Sequence, residues 1–218
     1  MRLLVTAGPT REPLDPVRYL SNRSSGKMGY AVASAAAARG HAVVLISGPV
    51  ALPPPPDVRL VRVNTAAEML GAVQSELADC EALIMAAAVA DWRPVFIAGQ
   101  KIKKHAGNLT VELEPTADIL RHIKSDKGAR LFVGFAAETG DPLPAARAKL
   151  QAKGLDFIVA NDVSRSDIGF DVDHNQVTLL HVDGRTDHWP KMTKTETAER
   201  LIRELELAVK AQSGGAAG

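Results

Sequence analysis

The chain has 218 residues, with 26 Lys plus Arg against 25 Asp plus Glu and a formal net charge of +1, so charge gives no case for nucleic acid as its main partner. Aromatic residues are only 4% of it, which argues against base-stacking platforms, and the lone cysteine, Cys80, excludes an internal disulfide framework or a Cys-based zinc site. With 46% hydrophobic and 23% charged residues it reads as one soluble globular domain, residues 1–212, with a Gly/Ala/Ser tail at 213–218 expected to be disordered.

Short β-type runs alternate with helix-type stretches. Residues 3–6 read as a buried strand, and the alanine-rich stretch 28–39 as a helix that stops at Gly40. Residues 42–47 are a second buried strand. The prolines at 53–56 make a loop, and 58–63 a third strand. Thr65 predicts an N-cap for a helix to Leu77, with Glu68 completing a capping box. Strands follow at 82–88, 131–136 and 157–160, the last two separated by a helix at 145–153. A β-type run at 176–182 and an amphipathic helix at 195–209 close the chain. This order predicts an α/β, Rossmann-like, mostly parallel sheet with helices on both faces, followed by a less regular β-containing part.

Two stretches break the rhythm. Residues 8–27 form a long insertion with Arg11, Arg18, Arg23 and Lys27 against two acids, Glu12 and Asp15; insertions of this length are usually functional or disordered. Residues 91–114 hold Trp92-Arg93-Pro94 and Lys101-Ile102-Lys103-Lys104. The longest apolar run, 82–90, is too short to span a bilayer, and no signal peptide is visible, so a reducing, cytoplasmic setting is expected. The six histidines include no i, i+4 pair, which argues against a His-ligated metal.

In an open parallel sheet ligands bind beyond the carboxyl ends of the strands. Here those ends are small and polar: residues 6–10, 47–49, 86–91, 135–139, and Asn161-Asp162. The first helix opens on Ser24-Ser25-Gly26-Lys27, whose free amides suit a phosphate or carboxylate or simply form a cap. It is not a Walker A loop, because Lys27 is followed by Met28 and position 21 is Ser. Lys101 and Lys103 would share one side of an extended segment, and Lys149 and Lys153 one helix face; either pair could serve a ligand or be plain solvated lysines. Asp91 ends an apolar strand, where an acid is a ligand or a turn cap. A nicotinamide oxidoreductase lacks support: the first turn reads Gly8-Pro9-Thr10 in place of G-x-G-x-x-G, and the second strand ends Ser47-Gly48 without the ribose-binding acid.

The run Thr6-Ala7-Gly8-Pro9-Thr10-Arg11-Glu12-Pro13-Leu14-Asp15-Pro16-Val17-Arg18-Tyr19 continues into Ser21-Asn22-Arg23-Ser24-Ser25-Gly26-Lys27-Met28-Gly29. It closely resembles the opening of bacterial phosphopantothenoylcysteine synthetase, the ligase of coenzyme A biosynthesis. Further matches follow in order: Ala87-Ala88-Val89-Ala90-Asp91-Trp92-Arg93, Lys101-Ile102-Lys103-Lys104, Val133-Gly134-Phe135-Ala136-Ala137-Glu138-Thr139, and Ala160-Asn161-Asp162-Val163. The chain departs from the pattern at 108–116, at Thr116-Ala117-Asp118 in place of Asn-Pro-Asp, and at Trp92 in place of Tyr.

The resemblance implies a ligase joining 4′-phosphopantothenate to L-cysteine through an acyl-cytidylate made from CTP, with release of pyrophosphate and CMP. It implies Asn22 and Lys101 as catalytic residues. Its nucleotide-binding positions fall on Met85, Ala86, Ala87, Asp91, Lys101, Ala117, Asp118, Ile119, Leu120, Phe135, Lys149 and Lys153. Arg18, Asn22 and Ala88 match substrate contacts, and Mg²⁺ is implied without identified ligands. The family is a homodimer, which places an interface in the irregular second half, and it is commonly fused to a flavin-dependent decarboxylase. A reading from another class is a non-catalytic nucleotide-binding subunit that regulates such a decarboxylase; retention of both Asn22 and Lys101 speaks against it.

Overall fold

The computed structural model describes residues 1–104, 106–138, 140–162 and 173–215. The expectations for Thr139, Val163 and residues 216–218 lie outside them. In chain order the elements are β1 (Arg2–Ala7), β2 (Arg11–Pro13), β3 (Tyr19–Ser21), α1 (Lys27–Ala38), β4 (Ala42–Ser47), β5 (Val58–Arg62), α2 (Ala66–Leu77), β6 (Ala82–Met85), β7 (Trp92–Pro94), β8 (Leu113–Pro115), α3 (Ile119–His122), β9 (Leu131–Glu138), α4 (Leu143–Lys153), β10 (Phe157–Asp162), β11 (His174–Asn175), β12 (Val177–His181), β13 (Thr186–His188), β14 (Met192–Thr193) and α5 (Lys194–Gly215).

The eight-stranded sheet runs β13-β12-β10-β9-β6-β1-β4-β5, parallel from β10 to β5, with β12 and β13 added antiparallel at one edge. Alternation along the strands divides the core in two. Leu3, Val5, Val43, Leu45, Ile84, Val133 and Val159 face α1 and α5. Leu4, Val44, Ile46, Leu83, Phe132 and Ile158 face α2, α3 and α4. Helices therefore cover both faces, as the sequence predicts. Cys80 is buried in the second layer, and loss of water around its thiol pushes its pKa up to about 11, which leaves it inert.

Several boundaries differ from the sequence reading, each for a physical reason. The strand expected at 82–88 ends at Met85, because the following main chain turns to the hydroxyls of Thr6 and Thr10. The insertion at 8–27 is a short hairpin of β2 and β3, secured by the two acids that its basic composition obscures. Glu12 is buried and accepts from the amide of Ala66 at the start of α2, at 2.8 Å, where the helix dipole favours an anion. At that same end Thr65 accepts from Glu68 N, while the Glu68 carboxylate accepts from the amide of Asn64, one residue before the usual partner. The backbone at 213–215 continues α5. Lys101 and Lys103 lie in a segment without strand structure. Among the described residues no helix is long and apolar enough to cross a membrane.

Helices α1 and α5 are joined at one end by Glu206, which accepts two hydrogen bonds from Arg39 and contacts His41 Nε2 at 2.9 Å. The Arg39 guanidinium, against the opposing loss of water and with His41 adding to it, holds the Glu206 carboxyl down at about 2, from an ordinary 4.5. A carboxylate with a depressed native pKa stabilises fully above its unfolded value and loses that contribution as pH falls through the native one. Glu206→Gln should therefore lower the urea midpoint at neutral pH. The gap from the parent protein should close as pH drops from about 5 toward about 2; a gap independent of pH would assign the loss to packing.

Candidate functional site

The chain leaves β1 toward β4 and β5 on one side, then returns to lay β6 on the other. A crevice opens at such a reversal, beyond the carboxyl ends of the two diverging strands. Pro9 and Ala88 bridge it, and the hydroxyls of the fully buried Thr6 and Thr10 accept from Ala87 N and Ala90 N at 3.2 and 2.9 Å. Ala88 N donates to Gly8 O at 2.9 Å. The amides of Ala87, Ala88 and Ala90 are thus committed within the protein, so the small-residue wall from Ala86 to Asp91 is held in one position.

That wall forms one side of a cleft of about 340 Å³, completed by Val89, Thr116, Ala117, Asp118, Ile119, Leu120, Phe135, Ala137, Lys149 and Lys153. Every nucleotide-binding residue expected from the sequence lines this cleft except Lys101. Met85, Ala86, Ala87 and Asp91 come from β6 and its extension, and Ala117 and Asp118 from the approach to α3. Ile119 and Leu120 come from α3 itself, Phe135 from β9, and Lys149 and Lys153 from α4. Both lysines are ion-paired: Lys149 with Glu138, and Lys153 with Asp118 at 3.3 Å. Asp118 also caps α3 by accepting from Arg121 N. Asp91 is exposed and in no ion pair among the described residues.

Asn22 reaches the cleft rim from the segment after β3, and its Nδ2 donates to Val89 O at 2.9 Å and Ala88 O at 3.3 Å. This side-chain amide and Ala88, a wall residue, are therefore neighbours. Arg18 lies in the β2–β3 hairpin, paired with the buried Asp15 and donating to Ile102 O at 2.6 Å. Lys101 stands one residue before that contact, exposed and in no ion pair among the described residues. The structure thus gathers Arg18 and Lys101 around one hairpin, and Asn22 and Ala88 around the cleft mouth.

A second, smaller hollow of about 70 Å³ adjoins the first and shares Ala86, Phe135 and Ala137 with it. The residues around the start of α1, Ser24 to Gly29, form one side, and Asn161, Asn175 and Lys194 the other. Asn161 and Asn175 are buried with side-chain oxygens that find no hydrogen-bond partner among the described residues. Unpaired polar atoms of this kind are costly unless a ligand or water meets them. An asparagine side chain, turned about its amide, offers NH₂ donors there as well. The sequence reading noted Asn161 at a strand end without assigning it to the site. Asn175 and Lys194 carried no signal, since they reach the hollow only through the pairing of β11 with β14.

His181, Asp187 and Glu204 are the grouping of metal-ligating side chains found among the described residues. The Arg185 guanidinium fills it, 3.4 Å from Asp187, 3.3 Å from Glu204 and 2.9 Å from the His181 ring. A cation already stands where a metal would sit.

Residues 1–208 match the family model described as the DNA/pantothenate metabolism flavoprotein C-terminal domain. The chain belongs to this family. Over 97% of its length it is 45% identical to the coenzyme A biosynthesis bifunctional protein CoaBC of Bacillus subtilis, covering 52% of that protein. It is 50% identical to the Escherichia coli protein of the same name over 84% of the chain and 46% of the relative. It therefore spans about half the length of these curated relatives. A crystal structure of the C-terminal domain of a CoaBC protein superposes with a TM-score of 0.82 at 41% identity, covering 96% of each chain.

Helix α1 packs close against β1 at Gly29, where an added Cβ would lie 2.5 Å from Ala7 Cβ and 2.8 Å from Thr6 O. Gly29→Ala should therefore destabilise the domain by about 1–3 kcal/mol. Gly71→Ala in α2, where an added Cβ meets nothing within 4 Å, should instead be neutral or stabilise by up to about 1 kcal/mol. Paired denaturant titrations check both.

Proposed function

We propose that the chain is a phosphopantothenate–cysteine ligase of coenzyme A biosynthesis that uses CTP. The observation that carries this reading is the pair of adjoining hollows at the β1/β6 reversal. The larger has a small-residue wall and two lysines, and the smaller a helix N-terminus with two buried, unsatisfied asparagine oxygens. A nucleoside fits the first, and a polyphosphate extends toward the second and toward Lys149 and Lys153. In this reading Asn22, bonded to Ala88 on that wall, meets the acyl group beside the nucleotide.

The carboxylate of 4′-phosphopantothenate attacks the α-phosphorus of CTP, the bond to pyrophosphate breaks, and an acyl-cytidylate forms. The amine of cysteine then attacks the acyl carbon, loses its proton, and CMP leaves with the bonding electrons. The first step brings two anions together, so its barrier falls where cations meet the charge that builds on the phosphorus. Lys149 and Lys153 supply that charge by exchanging Glu138 and Asp118 for phosphate oxygens. Lys101, in no ion pair among the described residues, stabilises the α-phosphate. Asn22 holds the acyl oxygen with a neutral donor that is no nucleophile. Arg18 keeps part of its guanidinium for the phosphate of the substrate. Magnesium, when bound, neutralises charge on the phosphate oxygens, and one or two carboxylates suffice to hold it; Asp91 on the cleft wall fits that need.

A homodimer belongs to the same proposal. Trp92, Val95, Phe96, Ile97 and Leu113 expose large apolar surface around the β7–β8 pair, with Phe96 78% exposed. This strip, and not the later β-containing part to which the resemblance assigns the interface, is the surface we assign to a second copy, because the exposed large apolar side chains gather here; sedimentation equilibrium is the check. A flavin-dependent decarboxylase as the other half of a bifunctional protein is consistent with the length of the relatives.

The deciding assay is pyrophosphate release with magnesium and 4′-phosphopantothenate, comparing CTP with ATP, with and without cysteine. Release that requires phosphopantothenate, favours CTP and continues to turn over only with cysteine is the expected result. No release with either nucleotide would favour the non-catalytic subunit. Asn22→Asp should permit pyrophosphate release once and lower product formation by about 10²-fold. Lys101→Gln should slow the single-turnover first step by about 10²-fold; normal rates in either variant would remove the role given to that residue.

A further inference from the structure

Resting on that reading of Lys101, we propose that Asp15 is a positioning residue for it, clamping the segment that carries the lysine through the main chain of Ile102. Asp15 sits in the turn between β2 and β3, and its side chain is fully buried. Its two carboxylate oxygens have different work. Oδ1 accepts from Val17 N and Arg18 N, both at 2.8 Å, an ordinary local turn. Oδ2 is not needed for that turn. It accepts from Arg18 Nε and Nη2 at 3.0 and 2.6 Å, and from Ile102 N at 3.1 Å, across 87 positions of sequence.

Arg18 completes the clamp from the other side, because its Nη2 also donates to Ile102 O at 2.6 Å. Both main-chain groups of Ile102 are therefore held by one ion pair. Little else fixes this segment. Among the described residues the main chain at 99–104 makes no hydrogen bond to other main chain, and the nearest such tie is Ala98 N to Leu14 O at 3.0 Å. A lysine on an unstructured segment would sample many positions, and a displacement of about 1 Å at a catalytic charge costs on the order of 10²-fold in rate.

The carboxylate is built to stay ionised. Loss of water pushes its pKa up, but the hydrogen bonds from Ile102, Val17 and Arg18 more than reverse this and hold it well below the usual carboxylate range. Protonated or replaced by an amide, it could no longer accept from both Ile102 and Arg18.

Two variants separate its roles. Asp15→Asn keeps the turn acceptor and removes the charge. Asp15→Ser keeps only a local turn acceptor and removes the second arm, so it tests the clamp even where the amide fails to fold. Hydrogen exchange of the folded proteins should show the Ile102 amide, which donates to Asp15, exchanging at least about tenfold faster, with β1 and β4 unchanged. The single-turnover rate of pyrophosphate release should fall about 10- to 100-fold, while KM for CTP moves less than about threefold. Combined with Lys101→Gln, either variant should add no further loss, because the clamp acts through the lysine. Unchanged exchange at Ile102, or a loss that multiplies with that of Lys101→Gln, would overturn the proposal. If Lys101→Gln alone leaves the rate intact, the role given to Lys101 fails. Faster exchange at Ile102 would then establish the clamp as a tether without a catalytic purpose.

Discussion

The hydroxyls of Thr6 and Thr10 hold the rest of the site together. Both are fully buried at the carboxyl end of β1, and each accepts from an amide of the wall that extends β6. A parallel sheet leaves strand ends without partners, and a wall of small side chains has little packing of its own to fix it. Two hydroxyls answer both needs, because they satisfy amides that would be orphaned and set the depth of the cleft at the same time. The larger cleft and the smaller hollow share Ala86 on that wall, so a shift there would move both.

The central sheet was legible because its strands are short apolar runs bounded by glycine, proline or polar residues, and Ala42–Ser47 matches its predicted bounds. Helix α2 was equally legible, since Thr65 caps it as its position predicts. The two small hairpins and α3 were not. Three-residue strands such as Trp92–Pro94 and a four-residue helix such as Ile119–His122 carry too few side chains to show a period. They exist because partners distant in sequence hold them, as Asp91 O does by accepting from Thr116 N.

Site residues divide in the same way. Asp91, Lys149 and Lys153 could be noticed from strand ends and helix spacing, though only the resemblance separated them from ordinary surface charges. Asn175 could not be noticed, because its burial beside α1 depends on the β11–β14 pair. The acids of the first insertion carried no signal for a related reason. Counting charge makes Glu12 and Asp15 a minority in a basic loop, whereas both are buried and accept the hydrogen bonds that give the loop its shape. Composition records how many charges a segment has, and says nothing about which of them face inward.

The pairing of Lys149 with Glu138 and Lys153 with Asp118 has a consequence for ionic strength. A cluster of bare lysines attracts anions of every kind, and its affinity falls steeply as salt screens it. Here each lysine already has an anion of its own, so an incoming phosphate gains only the difference between itself and a carboxylate. Salt weakens the contact being broken along with the contact being made. Binding to this cleft is thereby buffered against salt, and stray monovalent anions gain little from displacing a tethered carboxylate. On the proposed reading, a polyphosphate that met both lysines would gain two contacts at once, which would favour charge arranged along a chain over single anions.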